Sequence, residues 1–165
     1  MKQERPLRQL AAGGVVAALY AALTLLTGSF AYGPIQFRIA DALIVLCCFS
    51  RGMTMGMTAG CLLANLFSPV SALDALVGTV ATLIACRLTK RIRRPWLLPL
   101  PNVLVNGLFI GAELAWSLTP EAFWQGFAIN GGQVALGELA VMVVLGIPLY
   151  LYLQKSQLLH KLHVA

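Results

Sequence analysis

The sequence predicts an all-α integral membrane protein with six transmembrane helices and both termini in the cytoplasm. Three observations carry this prediction. Of 165 residues, 59% are apolar and only 11% charged, against about a quarter charged in a soluble domain. The apolar residues lie in long continuous runs and do not alternate at period two, which excludes a β-barrel. Lys and Arg occupy every second break between the runs, as cytoplasmic loops do. A soluble fold of this length cannot hide so much apolar surface. Disorder requires the opposite composition. Residues 1–165 are expected to form a single membrane domain.

The six runs span roughly 8–28, 35–50, 53–68, 72–90, 97–117 and 122–153. They are separated by turn chemistry at Gly33-Pro34, Arg51-Gly52, Ser68-Pro69, Arg94-Pro95 and Thr119-Pro120. The first run is long enough to remain as a span, so no cleavable signal peptide is expected. The second and third are short, and are expected to be tilted or irregular. The sixth exceeds one straight span of about 20 residues. Its first residues, 121–125, are expected to lie along the outer interface, with Trp124 at headgroup level.

Charge then fixes orientation. Lys2, Arg5 and Arg8 precede the first run, and Arg51 sits between the second and third. Arg87, Lys90, Arg91, Arg93 and Arg94 lie between the fourth and fifth, and Lys155 and Lys161 follow the sixth. Segments 28–35, 68–72 and 118–121 carry no Lys or Arg. The net charge of +6 is thereby explained without nucleic acid.

The first run has two rows of small residues at spacing four, Gly13-Ala17-Ala21 and Gly14-Ala18-Ala22. The third has Gly52, Gly56, Gly60 and Ala64. Small residues let helix backbones approach closely in lipid. The row on the third run suits internal packing. The face on the first is wider than one neighbour needs, so internal packing and docking to another protein both fit it.

Polar groups at membrane depth are costly and usually face a cavity or a partner. Here they are Asp41, Asp74, Glu113 and Glu138, one cation, Arg38, and amides that include Gln36, Asn65, Asn102, Asn106 and Gln133. Helical spacing puts Asn102, Asn106 and Glu113 on one stripe, and Gly131, Val134 and Glu138 on another, with Glu138 facing a glycine gap open to a planar ligand. With both termini inside, most of the set falls in the outer half of the membrane. Four acids against one Arg suit a ligand that is cationic or rich in N–H donors and enters from outside. Blander roles exist for some of them. Arg38 and Asp41 are spaced to pair, and Asp74 is placed to cap the fourth helix from Ser71-Ala72-Leu73-Asp74. Trp116, Trp124 and Tyr32 can stack on a ligand ring, but interfacial anchoring is their ordinary role.

Cys47, Cys48, Cys61 and Cys86 lie inside apolar runs without metal-ligand spacing, and read as packing residues. His160 and His163 on the tail make no convincing metal site. No phosphate-binding loop, HExxH or GxSxG is present, so neither a catalytic residue nor a nucleotide or metal cofactor is expected in this chain. Energy for uphill transport must come from an ion gradient or a partner.

Four segments carry a resemblance. They are Tyr32-Gly33-Pro34-Ile35-Gln36-Phe37-Arg38 with Asp41-Ala42-Leu43, Gly60 to Pro69 around Asn65, Asp74 to Gly78, and Gly111-Ala112-Glu113-Leu114. With Gly137-Glu138, they resemble the QueT family of queuosine-precursor transporters over nearly the whole chain. Many members have Glu where this chain has Asp41, one methylene shorter. The family looks like the substrate-binding (S) component of energy-coupling factor importers. The resemblance implies a six-helix S-component fold in a bacterial plasma membrane. It implies a transmembrane coupling subunit and two cytoplasmic ATPases that consume ATP, docked through Ala17/Ala21 or Ala18/Ala22. The implied ligand is 7-aminomethyl-7-deazaguanine or queuine. Glu138 and Glu113 would share the carboxylate roles, with Asn65 and Asn106 reading the remaining edge. Asp41, Arg38, Gln36 and Asp74 would complete the site, gated by residues 32–38. The alternatives are a self-sufficient ion-coupled transporter using Glu113 and Glu138, an S component for another vitamin, and a scaffold whose polar residues only hold helices together.

Overall fold

A computed structural model describes residues 4–31, 36–68 and 73–156, with side chains omitted for 4–6, 29 and 30. Tyr32, Ser71, His160, His163, Lys2 and Lys161 lie outside the described residues.

The elements are helical throughout the described residues. They are α1 (Glu4–Leu26), α2 (Gly28–Ala31), a 3-10 segment (Ile39–Cys48), α3 (Arg51–Asn65), α4 (Asp74–Thr89), α5 (Pro99–Leu118), α6 (Phe123–Val141) and α7 (Ile147–Ser156). Short 3-10 turns at Pro95–Leu97 and Pro120–Ala122 lead into α5 and α6. Local chemistry sets several of these ends. The hydroxyl of Ser50, in extended conformation, accepts from the backbone N–H of Gly52 at 3.2 Å and starts α3. Pro99 opens α5, where a missing N–H costs nothing.

Three stretches are long and apolar enough to cross a membrane: Leu7–Leu26, Pro95–Leu118 and Pro120–Ser156. The expected second, third and fourth spans are shorter. The 15 and 16 residues of α3 and α4 rise about 22 and 24 Å, less than the roughly 30 Å of a hydrocarbon core. The expected helix over 35–50 is a 3-10 segment of ten residues, eight of them buried. It is apolar on every side because it threads between α1, α3, α4 and the α6–α7 junction. Polarity runs inside out. Large apolar side chains such as Leu7, Val15, Leu26, Leu104 and Val144 face outward, while acids and amides occupy the interior. That is the surface of a membrane protein.

The sixth run is one helical stretch from Phe123 to Ser156, interrupted by a π-turn at Met142–Gly146. It begins as helix, so residues 123–125 belong to α6 and are not a separate interfacial segment; Trp124 is exposed on its first turn. A Cβ on Gly146 would stand 3.1 Å from the sulfur of fully buried Met142, so that side chain occupies the space the glycine leaves.

Two seams bring backbones together. On α1 and α3, a Cβ at Gly56 would fall 2.2 Å from the Gly13 carbonyl oxygen, and one at Gly60 2.7 Å from that of Ala17. One small-residue row of α1 is therefore used internally. Of the other, Gly14 has nothing within 4 Å of a Cβ position, and Ala18 and Ala22 are exposed. On α5 and α6, a Cβ at Gly111 would fall 2.5 Å from Gly131 Cα, and one at Gly131 2.8 Å from the Gly107 carbonyl oxygen. The glycine at 131 is thus filled by α5. It is not an opening beside Glu138, which corrects the planar gap read from helical spacing alone.

Candidate functional site

All eight residues expected to line a site, Gln36, Arg38, Asp41, Asn65, Asp74, Asn106, Glu113 and Glu138, are buried. They fall into a deep clasp, a middle group and an outer carboxylate.

The clasp joins α5 to α6. Asn102 and Asn106 are one turn apart on α5, and Asn106 Nδ2 donates to Asn102 Oδ1 at 3.1 Å. Both then donate to Glu138: Asn102 Nδ2 to one carboxylate oxygen at 2.6 Å and Asn106 Nδ2 to the other at 3.1 Å. The carboxylate is held at both oxygens, so its plane is fixed. Each carboxylate oxygen has two lone pairs, so one on each remains for a further donor.

The middle group comes from α1, the 3-10 segment, α3 and α4. Asp41 lies close enough to Glu138 for the two carboxyl groups to interact. Tyr20 Oη donates to Asp41 Oδ1 at 2.6 Å. Arg38 is 2% exposed and acts electrostatically on Tyr20, Asp41, Cys61 and Asp74, so it is not confined to the neighbour three residues on. Asn65 Nδ2 donates to the Asp74 carbonyl oxygen at 3.1 Å and to Cys61 Sγ at 3.4 Å. A Cβ on Gly78 would stand 2.2 Å from that Nδ2, so the amide fits only because position 78 is glycine. Asp74 opens α4 and ties it to α3 through its backbone, while Leu73 before it makes no side-chain cap. Ser71, the other half of the expected capping box, lies outside the described residues.

Gln36 enters the group with φ 49°, the one non-glycine residue at positive φ among those described. Such a conformation costs about 1–2 kcal/mol and persists where surroundings impose it.

Among the described residues, Gln36 Oε1, Asp41 Oδ2, Asn65 Oδ1 and both Glu113 carboxylate oxygens are buried acceptors without a donor. Each such group costs about 1–3 kcal/mol. They share one polarity: all lack N–H or O–H groups to accept from. Chemically, this interior is prepared for a donor-rich guest.

The docking candidates divide. Ala17 and Ala21 are half-buried on the row used against α3, and Ala18 and Ala22 are exposed. Cys47, Cys61 and Cys86 are buried and Cys48 is half-buried, with Cys47 and Cys86 sulfurs 3.0 Å apart.

Sequence reasoning missed Tyr20. A tyrosine continuing the inward row of a small-residue helix was the available signal, since a buried hydroxyl at that depth needs a partner. It also placed Asn102 on the right stripe without assigning it a role.

The family described as QueT transporter matches residues 10–155. A relative from Lactococcus lactis subsp. cremoris (strain MG1363), described as a queuosine precursor transporter, QueT, is 38% identical over 72 residues. That match covers 42% of this chain and 42% of the relative, so the chain spans under half the length of the curated protein it matches. No solved structure matches the chain.

Proposed function

The chain belongs to the QueT transporter family, and from that premise we propose that it captures a queuosine precursor from outside a bacterial plasma membrane. In this reading the ligand is 7-aminomethyl-7-deazaguanine or queuine. The observation that carries it is the set of buried acceptors without donors at Gln36, Asp41, Asn65 and Glu113, next to a carboxylate already fixed by two amides.

A 7-deazaguanine presents N1–H and a 2-amino group on one edge. A carboxylate accepts such a pair in bidentate fashion. Glu138 suits that role because Asn102 and Asn106 hold its plane and leave a lone pair on each oxygen. The aminomethyl group is a cation and calls for a second carboxylate. Glu113 lies seven residues beyond Asn106 on α5, about 10 Å along the helix, with both oxygens open. Asn65 Oδ1 supplies a further acceptor. Gln36, Arg38, Asp41 and Asp74 surround the ligand, and residues 32–38 gate its entry.

We further propose six membrane crossings with both termini inside, and action as the S component of an energy-coupling factor importer. ATP would then be used by two cytoplasmic ATPases, through a transmembrane coupling subunit docked on the outward Gly14-Ala18-Ala22 row. That row is open while its neighbour is filled by α3. The reading makes the chain a binding subunit and not an enzyme.

The test is calorimetric titration of the purified chain with 7-aminomethyl-7-deazaguanine, beside guanine and a panel of vitamins. Saturable binding selective for the deazaguanine is expected. No binding across deazaguanines would overturn the proposal. Concentrative uptake that survives loss of the ATPases would favour the ion-coupled alternative.

A further inference from the structure

Glu113 is 6% exposed, yet it does not face only the polar interior. It also lines a groove of about 520 Å³ between α4 and α5, walled by Leu73, Val77, Phe109, Ala112 and Trp116. Asp74 and Arg38 are the charged groups that act on it from the interior side. Among the described residues, its carboxylate is the one side-chain acceptor lining the groove, and neither oxygen has a donor.

Donor counting then decides which amine suits the place. A primary ammonium brings three N–H groups. Two oxygens take two of them, and the third would point at hydrocarbon, where an unmatched donor is costly. A secondary ammonium brings two N–H groups, one for each oxygen. Its second substituent is carbon and belongs in apolar surroundings. The groove offers the room, since ligand pockets run from about 300 to 1,000 Å³.

We propose that the α4–α5 groove is a substituent subsite, so that the protein takes deazaguanines whose side-chain amine is secondary and carries an apolar group. This rests on the deazaguanine reading above. It goes beyond it by assigning a specificity-determining wall, with Ala112 and Val77 setting the size of group admitted.

The experiment compares the Kd of 7-aminomethyl-7-deazaguanine with that of its N-cyclopentyl derivative, on the detergent-solubilised full chain. Wild type is expected to bind the N-cyclopentyl compound at least as tightly as the primary amine. In Ala112→Phe, and independently in Val77→Phe, an aromatic ring enters the groove. The ratio of the two Kd values should then shift at least about tenfold in favour of the primary amine. Binding of the primary amine together with rejection of the N-cyclopentyl compound by wild type would overturn the subsite and leave the deazaguanine reading standing. An unchanged ratio in both variants would also overturn it, and is the result expected if a lipid chain occupies the groove. If wild type binds neither compound, the underlying reading fails and the subsite fails with it.

Discussion

Exchanging Glu138 for glutamine keeps the size of the side chain and changes one oxygen into an NH₂ group. The two oxygens accept at 2.6 Å from Asn102 and at 3.1 Å from Asn106. Whichever oxygen becomes nitrogen then meets a donor. Asn102 cannot answer by turning its amide over, because its Oδ1 already accepts from Asn106 at 3.1 Å. One hydrogen bond to a charged group is lost, worth about 1.5–3 kcal/mol. A guanine-like edge loses one of its two acceptors at the same time. At 1.4 kcal/mol per factor of ten, Glu138→Gln should weaken 7-aminomethyl-7-deazaguanine about ten- to a hundredfold. Isothermal titration on purified wild type and variant reads this directly, with the thermal midpoint reporting the structural part. A variant that stays folded and binds within about threefold of wild type would refute the reasoning. The clasp would then serve only to hold α5 against α6.

Further outcomes follow from the same geometry. Tyr20→Phe leaves Asp41 Oδ1 buried without its 2.6 Å donor, and should cost about 1–3 kcal/mol of stability, seen as a lowered thermal midpoint. Gly56→Val places carbon where the Gly13 carbonyl stands 2.2 Å away; it should force α1 from α3 and give aggregated protein on size exclusion, whereas a wild-type profile would show that the seam yields. Gly14→Leu meets nothing within 4 Å, so ligand affinity should hold while co-purification with a coupling subunit is lost; retained co-purification would remove the outward row as the docking face. Glu113→Gln should weaken the aminomethyl compound by about tenfold or more while leaving neutral 7-deazaguanine nearly unaffected, and equal losses for both would show that Glu113 does not read the amine.

Much of the fold was legible because lipid simplifies the code. Long apolar runs can only be helices when no water satisfies their backbones, and α1, α5 and α6 lie where those runs do. The stripe of Asn102 and Asn106 followed from spacing along one helix, and Glu138 was singled out by its cost at depth. What joined them was not legible, since contact between α5 and α6 depends on how Gly107, Gly111 and Gly131 seat. Read along α6 alone, Gly131 suggested a vacancy; only the crossing helix shows that it is filled. The 3-10 segment was equally hidden. An apolar run of ten residues has no periodicity to tell a narrow helix from a wide one, and Ile39–Cys48 takes the narrow form in the space its neighbours leave. Tyr20 meets Asp41 across 21 positions of chain, a pairing set by the α1–α3 seam and not by any local pattern.

The wide turn at Met142–Gly146 makes the far end of the chain depend on counting as well as on chemistry. Each residue of an α-helix turns the next by about 100°. Removing any one of these five residues would let the turn close into ordinary helix and rotate everything after it by that angle. Tyr150 and Leu153, now turned inward, with Tyr150 beside the ring of Phe49 at 5.6 Å, would swing away, and Leu151 or Tyr152 would arrive instead. A single deletion among interchangeable greasy residues would therefore unseat the C-terminal helix, where most substitutions at the same positions would pass unnoticed.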